Sequence, residues 1–229
     1  MTPTDSSKVQ LIQAPEQGVW RLGKRVPVTY EQIRREDADS SAGNAWSLVG
    51  YGTLYCATEQ EGCFAEALAP LRPHPDWLST AQEDWGSEGK DAPGRLPPKW
   101  TSRHMLVRLE LPKDAQFLDV DDEQTLKALS MERQLRRVLD GNAVEQLARE
   151  HIQGFNRKIT RAISAWAISQ RDEQGGRLIH GIAYRSRFGM HQCWAVYNDV
   201  AMTILSSSLV FLDDEALLRV ADDYHLQVD

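Results

Sequence analysis

The carboxylate of Glu66 is a candidate for chemistry because of the helix that carries it. A capping box of Thr58 and Glu61 predicts the start of this helix, and Pro70 ends it. Glu66 lies opposite the apolar stripe, on a face with small residues that leave room for a ligand: Gly62, Cys63 and Ala69. Such a carboxylate can stabilise a developing positive charge or orient a nucleophile. Taken alone, however, a helical glutamate is more typical of a solvated surface.

Two further candidates lie on predicted strands. Arg21 belongs to a strand over residues 18–22, and Tyr55 belongs to one over residues 53–57. Arginine binds phosphate through two parallel hydrogen bonds, whereas a tyrosine can stack on a flat ring or hydrogen-bond to a sugar. Each residue taken alone is also compatible with an ordinary role in a half-buried strand.

Ser186 lies on a strand predicted over residues 178–188 and could donate a hydrogen bond to a ligand. Alternate residues of a strand point to opposite faces. If Ser186 faces a pocket, Arg185 and Arg187 are therefore expected to face away from it.

Sequence motifs of several common enzyme classes are absent. The chain has no G-x-x-x-x-G-K-[ST] loop, no G-x-G-x-x-G at a helix start, no H-E-x-x-H and no G-x-S-x-G. Its six histidines are scattered, and its three cysteines form no C-x-x-C pair. Neither a metal site nor a disulfide framework is indicated.

The composition excludes other classes. A net charge of −7 argues against direct nucleic-acid binding as the function, because phosphate contacts need clustered lysine and arginine. No stretch approaches 18 apolar residues, and the N-terminus lacks the features of a secretory signal. We therefore expect a cytoplasmic protein that makes no membrane contact.

Strands and helices mix without a regular βαβ alternation, which predicts an α+β fold. A flexible polar arm over residues 1–17 is followed by a single domain over residues 18–229. This domain contains an irregular insertion at 72–100 and an amphipathic helix after about residue 212. Short strands at 46–49 and 53–57 are expected near its start. Residues 104–111 predict a strand with Met105, Val107, Leu109 and Leu111 on one face, and an apolar stripe predicts a helix over residues 156–170.

Three segments, in this order, resemble the RES domain family, which is named for an Arg, a Glu and a Ser. The first is Val19-Trp20-Arg21-Leu22, and the second is GNAWSLVGYGTLYCATEQEGCFAEAL over residues 43–68. The third is HGIAYRSRFGMHQCWAVYN over residues 180–198, which is similar to the family's G-I-x-Y-x-S strand. No single segment is specific for this family, but the three segments in this order and spacing form a specific signal.

The resemblance implies a fold like that of ADP-ribosyltransferases, with a split, mostly antiparallel β core surrounded by helices. It also implies an NAD-consuming enzyme, with NAD as substrate and no true cofactor. Water or inorganic phosphate is the expected acceptor, as in an NAD glycohydrolase or NAD phosphorylase. Many family members are toxins, so the resemblance implies a helix-turn-helix, Xre-like antitoxin as partner. A homo-oligomer is also compatible with it.

The resemblance implies a role for each candidate residue. Glu66 would stabilise the oxocarbenium-like ribose, and Arg21 would anchor the diphosphate. Tyr55 would contact nicotinamide or ribose, and Ser186 would hydrogen-bond to ribose or phosphate. Trp46 would form a wall of the pocket.

One position departs from the family pattern. Many members have Gly-Gly-Arg-Trp where this chain has Gly43-Asn44-Ala45-Trp46, so the arginine expected to help hold the phosphates is Ala45. Arg25, Arg185 and Arg187 are candidate replacements. The departure leaves two alternatives to NAD cleavage open: a protein-modifying ADP-ribosyltransferase and a non-catalytic NAD-binding module.

Overall fold

The computed structural model describes residues 9–24, 30–38, 44–73 and 94–228, and within them the chain has the predicted α+β fold. Its strands are β1 (Leu11–Ile12), β2 (Val19–Lys24), β3 (Thr53–Ala57), β4 (His104–Glu110), β5 (Phe117–Asp119), β6 (Gly181–Arg185), β7 (Gln192–Tyr197) and β8 (Thr203–Leu209). Its α-helices are α1 (Gln60–Leu68), α2 (Trp100–Arg103), α3 (Glu123–Met131), α4 (Arg133–Asp140), α5 (Arg149–Gln153), α6 (Arg157–Ser169) and α7 (Glu215–Asp223).

The eight strands form one sheet in the order β1-β5-β6-β7-β3-β2-β4-β8, in which only β5 and β6 run parallel. One junction is weak. β2 pairs with β4 at every residue from Val19 to Lys24, but it pairs with β3 only at Trp20 and Ala57. The sheet is therefore split into a five-strand half (β1, β5, β6, β7, β3) and a three-strand half (β2, β4, β8), which confirms the predicted split, mostly antiparallel core.

Two groups of helices cover one face of this sheet side by side. Helices α3 to α6 pack on the five-strand half, where Leu118 and Trp166 belong to a buried cluster. Helices α1 and α7 pack on the three-strand half around Phe64 and Leu217. Because Cys193, in the cluster of α1 and α7, and Ala195, in the other cluster, are two residues apart on β7, both helix groups share one face of the sheet.

The opposite face carries a third apolar cluster that extends across the split. Trp194 and Val196 of β7 alternate with the residues that face the helices, and they pack with Leu54 of β3 and Val107 of β4. The predicted alternation of β4, with Val107 and Leu109 on one face, is therefore confirmed. Among the described residues, no helix has the length and apolar character to cross a membrane.

The predicted capping box is wrong. The N-cap of α1 is Glu59, and no side chain caps this helix. The Thr58 hydroxyl instead accepts a hydrogen bond from the Trp194 indole at 3.0 Å. A tertiary contact has replaced the local one that the T-x-x-E pattern suggested.

Two segments differ from the predicted strands. Residues 46–49 form no strand, and only isolated bridges at Leu48 and Val49 remain. In the predicted polar arm, Leu11–Ile12 is a strand because it pairs with Leu118 and Phe117 of β5. Most of the predicted insertion, residues 74–93, lies outside the described residues.

Candidate active site

A pocket of about 550 Å³ opens where the sheet is split, between the two groups of helices. Strands β2 and β3, helix α1 and residues 152–157 line it. The structure thus brings together four of the five candidate residues at its wall: Arg21, Trp46, Tyr55 and Glu66. The volume lies within the range typical of small-molecule sites.

Glu66 reaches the pocket from α1. Its side chain is accessible through the pocket, although protein atoms surround most of the carboxylate. Burial raises the pKa of Glu66 above its usual 4.5, while a hydrogen bond from Ser186 and the positive charge of Arg187 act in the opposite direction. A ligand in the pocket can therefore approach the Glu66 carboxylate, which lies beside Ser186 and is only partly solvated.

The small residues beside Glu66 line the same pocket, as the sequence predicted for Gly62, Cys63 and Ala69. Gly62 also has a packing role. A Cβ at this position would lie 2.8 Å from the Cβ of Ala57, so only glycine lets α1 approach β3 this closely. Close packing of the helix on the strand brings Glu66 to the pocket.

Ser186 is fully buried beside Glu66 and does not line the pocket. Its hydroxyl accepts a hydrogen bond from the Phe188 amide at 2.9 Å, and its own amide donates to the His191 carbonyl at 2.8 Å. These contacts fix the serine at the start of a turn. From there its hydroxyl lies near the Glu66 carboxylate and lowers the pKa of that group.

The expectation that Arg185 and Arg187 face away from the pocket assumed that Ser186 faces it, and Ser186 does not. Strand β6 ends at Arg185, so residues 186–190 form a turn in which strand alternation no longer applies. Both arginines line the pocket, while Ser186 supports Glu66 from the protein interior.

Arg21 connects the two halves of the sheet at the split. Its side chain is 7 % exposed, and its Nη1 donates to the Tyr55 carbonyl at 3.1 Å. Because β2 and β3 pair only at Trp20 and Ala57, the guanidinium occupies the gap that opens beyond this pair. Arg21 therefore contributes to the structure as well as to the pocket wall.

Tyr55 lines the pocket, and its hydroxyl is held by hydrogen bonds to residues 46 and 47. The hydroxyl accepts from the Trp46 amide at 3.0 Å and shares a hydrogen bond of 2.8 Å with the Ser47 hydroxyl. Burial raises the pKa of Tyr55, so the phenol stays neutral. The ring of Trp46 lies 5.7 Å from that of Tyr184, and together these rings form an aromatic wall.

Arg157, the first residue of α6, lines the pocket, although it lies in none of the segments that carry the family resemblance. Burial lowers its pKa, and the like charge of Arg187 adds to this effect. Its Nε is buried and has no hydrogen-bond partner among the described residues. Arg157 and Arg187 thus face the pocket with positive charge that the rest of the described chain does not neutralise by ion pairing.

Arg187 is held in place by aromatic rings. Its guanidinium lies 4.2 Å from the ring centre of Phe155 and 4.7 Å from that of Phe188. Ala45, at the departing family position, also lines the pocket. Of the proposed replacements, Arg25 lies outside the described residues, and Arg185 and Arg187 are present at the pocket.

The cysteines beside the pocket are not nucleophiles. Cys56, Cys63 and Cys193 are all buried, and burial raises the pKa of the Cys63 thiol to about 12. Within the described ranges, no group of His, Cys, Asp and Glu side chains could hold a metal ion. Of the two carboxylates that line the pocket, Glu31 accepts a hydrogen bond from Asn44, so Glu66 is the group best placed to change or share charge there.

A second hollow of about 450 Å³ lies between the first turns of α1 and α7. Its wall carries Glu61, Glu215 and Arg219, and Arg219 pairs with both glutamates. Because these charges satisfy one another, we assign no site there.

The sequence matches the RES domain family model over residues 19–217, which is most of the chain. The chain belongs to the RES domain family. In this RES domain, the three residues that carry the family resemblance come from separate elements. Arg21 lies on β2, Glu66 on α1 and Ser186 in the turn after β6, and all three meet at or beside one pocket.

Among solved structures, the RES domain is similar to a chain in the crystal structure of the M. tuberculosis MbcT–MbcA toxin–antitoxin complex. The TM-score is 0.47 and the sequence identity 12 %, over 93 % of this chain and 91 % of that chain. No protein of curated function matches the sequence at a significant level.

Proposed function

We propose that this RES domain cleaves the nicotinamide–ribose bond of NAD and passes the ADP-ribose to water or inorganic phosphate. The observation that carries the proposal is the placement of Glu66. Its carboxylate opens to a pocket that also presents four arginines and an aromatic wall. Such a pocket offers an anionic group for a cationic sugar and cationic groups for a diphosphate.

The proposed reaction breaks one bond and forms another. The bond between the ribose carbon and the nicotinamide nitrogen breaks, and its electron pair leaves with nicotinamide. The ribose then becomes oxocarbenium-like. The oxygen of water or phosphate then bonds to the anomeric carbon and releases a proton to solvent. Glu66 stabilises the positive ribose and orients the incoming oxygen, as carboxylates do in glycoside hydrolysis.

The arginines of the pocket suit the diphosphate. Arg157 and Arg187 repel each other, and burial removes water from Arg157. An anion between them relieves the repulsion and accepts hydrogen bonds from the guanidinium groups that line the pocket. This arrangement compensates for Ala45, where the family pattern has an arginine.

The aromatic wall suits the nicotinamide end. Tyr55 and Tyr184 present rings at the pocket, and Trp46 closes it with only 1 % of its own surface exposed. Flat rings of this kind hold a heterocycle by stacking. The reaction uses NAD as a substrate and requires no further cofactor.

The first experiment measures nicotinamide release from NAD by the purified protein, with and without phosphate. Glu66→Gln removes the charge and retains the shape, and a lost electrostatic stabiliser of this kind lowers kcat by about 10²–10³-fold. Glu61→Gln is the matched control, because Glu61 lies on the same helix but pairs with Arg219 outside the pocket. Phosphate dependence would identify the acceptor.

Equal activity in Glu66→Gln and the wild type would overturn this assignment. No release by a folded protein that still binds NAD would favour a non-catalytic module, which is the alternative that Ala45 suggests. Label from NAD that appears on a lysate protein would instead identify an ADP-ribosyltransferase.

We further propose that the protein is the toxin of a toxin–antitoxin pair, neutralised by an Xre-like antitoxin. The support is its membership of the RES family, together with a pocket that a partner can cover. Growth arrest on expression of the wild type, relieved by Glu66→Gln and by co-expression of a neighbouring antitoxin gene, is the expected result. Arrest that persists in Glu66→Gln would separate toxicity from the proposed chemistry.

A further inference from the structure

The two edges of the sheet differ in how they are protected. At one edge, β1 has only two residues. At the other, β8 has seven residues, Thr203–Leu209, and all seven are exposed. Its sequence, TILSSSL, contains neither a charge nor a proline. Short length, charged residues and proline are the usual means of protecting a strand edge, and β8 uses none of them.

Apolar side chains surround this edge. Ile204 is 59 % exposed and Leu205 47 %, and beyond the strand Phe211 is 60 % exposed. Leu209 and Leu212 are also exposed. Exposed apolar residues that cluster along an unpaired edge typically mark an interaction surface.

We propose that β8 pairs antiparallel with β8 of a second copy of this chain. The argument is the symmetry of the segment Leu-Ser-Ser-Ser-Leu, which reads the same in both directions about Ser207. In an antiparallel pair centred on Ser207, each Ser207 faces its equivalent, and Leu205 of each copy faces Leu209 of the other. Leucine therefore meets leucine on both sides of the centre, and the two-fold symmetry repeats each of these apolar contacts.

The local backbone is compatible with this pairing. Ser206, Ser207 and Ser208 pair one-to-one with Arg108, Val107 and Leu106 of β4. The irregularity in the β4–β8 register falls at Leu205, at the end of the symmetric segment. The three central serines thus retain regular strand geometry toward the second copy.

Symmetry also closes the assembly. The two-fold pairing covers the free edge of β8 in both copies. The combined sheet then ends at the two-residue β1 strand of each copy. Seven exposed strand residues, with Phe211 and Leu212 beside them, are available for burial in this pairing. No residue of β8 lines the pocket, so the dimer and the proposed activity can be tested separately.

Sedimentation velocity over a concentration series into the micromolar range tests the dimer. We expect the wild type to have the mass of two chains. Ser207→Lys places two like charges directly opposite each other and should give monomers with an unchanged circular dichroism spectrum. Gln174→Lys, which adds the same charge in an exposed loop, should remain dimeric. A monomeric wild type, or a dimer that Ser207→Lys leaves intact, would overturn the proposal.

Cysteine cross-linking tests the register. The three native cysteines are buried, so an introduced cysteine on β8 is the accessible thiol. Facing Cα atoms in an antiparallel pair are about 4.5–5.5 Å apart, within disulfide reach. Ser207→Cys should therefore form a covalent dimer under mild oxidation. In Ser206→Cys and Ser208→Cys the equivalent residues are diagonal, about 7–8 Å apart, and should cross-link poorly. Equal cross-linking by all three would contradict the register.

Discussion

The two halves of the sheet differ in how completely they are covered. In the five-strand half, Leu118 and Ile182 are fully buried beneath four helices. The three-strand half lies beneath two helices, α1 and α7, and ends in β8, where Ile204 and Leu205 remain exposed. The five-strand half is thus closely packed, whereas the three-strand half leaves apolar side chains exposed along β8.

The candidate site lies at the junction of these halves and takes residues from both. Tyr55 and Ser186 come from the five-strand half, and Arg21 comes from the three-strand half. The missing strand pairing between β2 and β3 leaves the space in which they meet. The pocket is therefore produced by a gap in the backbone hydrogen bonds of the sheet, rather than by a cavity in its core.

The largest expected effect compares buried and exposed leucines. Leu118→Ala should lower the free energy of unfolding by about 2–5 kcal/mol, because it leaves a cavity in the core of the five-strand half. Leu218→Ala on α7, where the leucine is 42 % exposed, should change it by less than about 0.5 kcal/mol. Urea unfolding followed by circular dichroism measures both. Similar losses of stability in the two variants would contradict the difference in packing between the two halves.

A smaller loss of stability is expected from Tyr55→Phe. The substitution leaves the Trp46 amide without its acceptor, and an unsatisfied buried donor costs about 1–3 kcal/mol. Tyr30→Phe is the matched control, because the described residues make no hydrogen bond to its hydroxyl. Thermal unfolding should separate the two variants, and equal midpoints would show that the Tyr55 hydroxyl does not hold the 44–47 turn.

Binding should depend on the arginines of the five-strand half. If Arg157 and Arg187 hold the diphosphate, away from the reacting bond, Arg157→Gln should raise KM for NAD about tenfold and leave kcat nearly unchanged, a loss of about 1.4 kcal/mol. Arg149→Gln, outside the pocket, is the control. A fall in kcat with an unchanged KM would place Arg157 at the reacting centre instead.

The smallest effect concerns pH. The proposed reaction needs the Glu66 carboxylate, so kcat/KM should rise with pH as this group ionises, with a midpoint above its usual 4.5 because burial raises the pKa. Arg187 lowers this pKa, so Arg187→Gln should move the acid limb to higher pH. Ser186→Ala should move it in the same direction, because the serine hydrogen bond favours the ionised form. A shift to lower pH in either variant would contradict the electrostatic account.

Local patterns predicted much of the fold. Alternation identified β4, and the apolar stripe of residues 156–170 identified α6, which begins at Arg157 after the N-cap Asn156. The expected C-terminal helix after about residue 212 is α7. By contrast, β8 has no buried face, so its seven exposed residues show no inside–outside alternation that a sequence reading could use.

The candidate site was predictable where short segments carry it, and only there. Arg21, Tyr55 and Glu66 lie in motifs that resemble those of the family, and the structure places them around one pocket. Arg157 lies in no such motif, because only the packing of α6 against the split brings it near Glu66. The sequence left open whether Ser186 or the arginines beside it face the pocket, because β6 ends at Arg185 and the turn that follows decides this.

The bond from Arg21 to the Tyr55 carbonyl determines how an inactive form of the protein should be made. A substitution at Arg21 removes a pocket cation and also a tie between β2 and β3, so loss of function would coincide with loss of native protein. Glu66 extends from a helix into the pocket and leaves no comparable backbone group unpaired when it is replaced. A soluble, inert chain for structural or partner-binding work is therefore best obtained through Glu66, with Arg21 left unchanged.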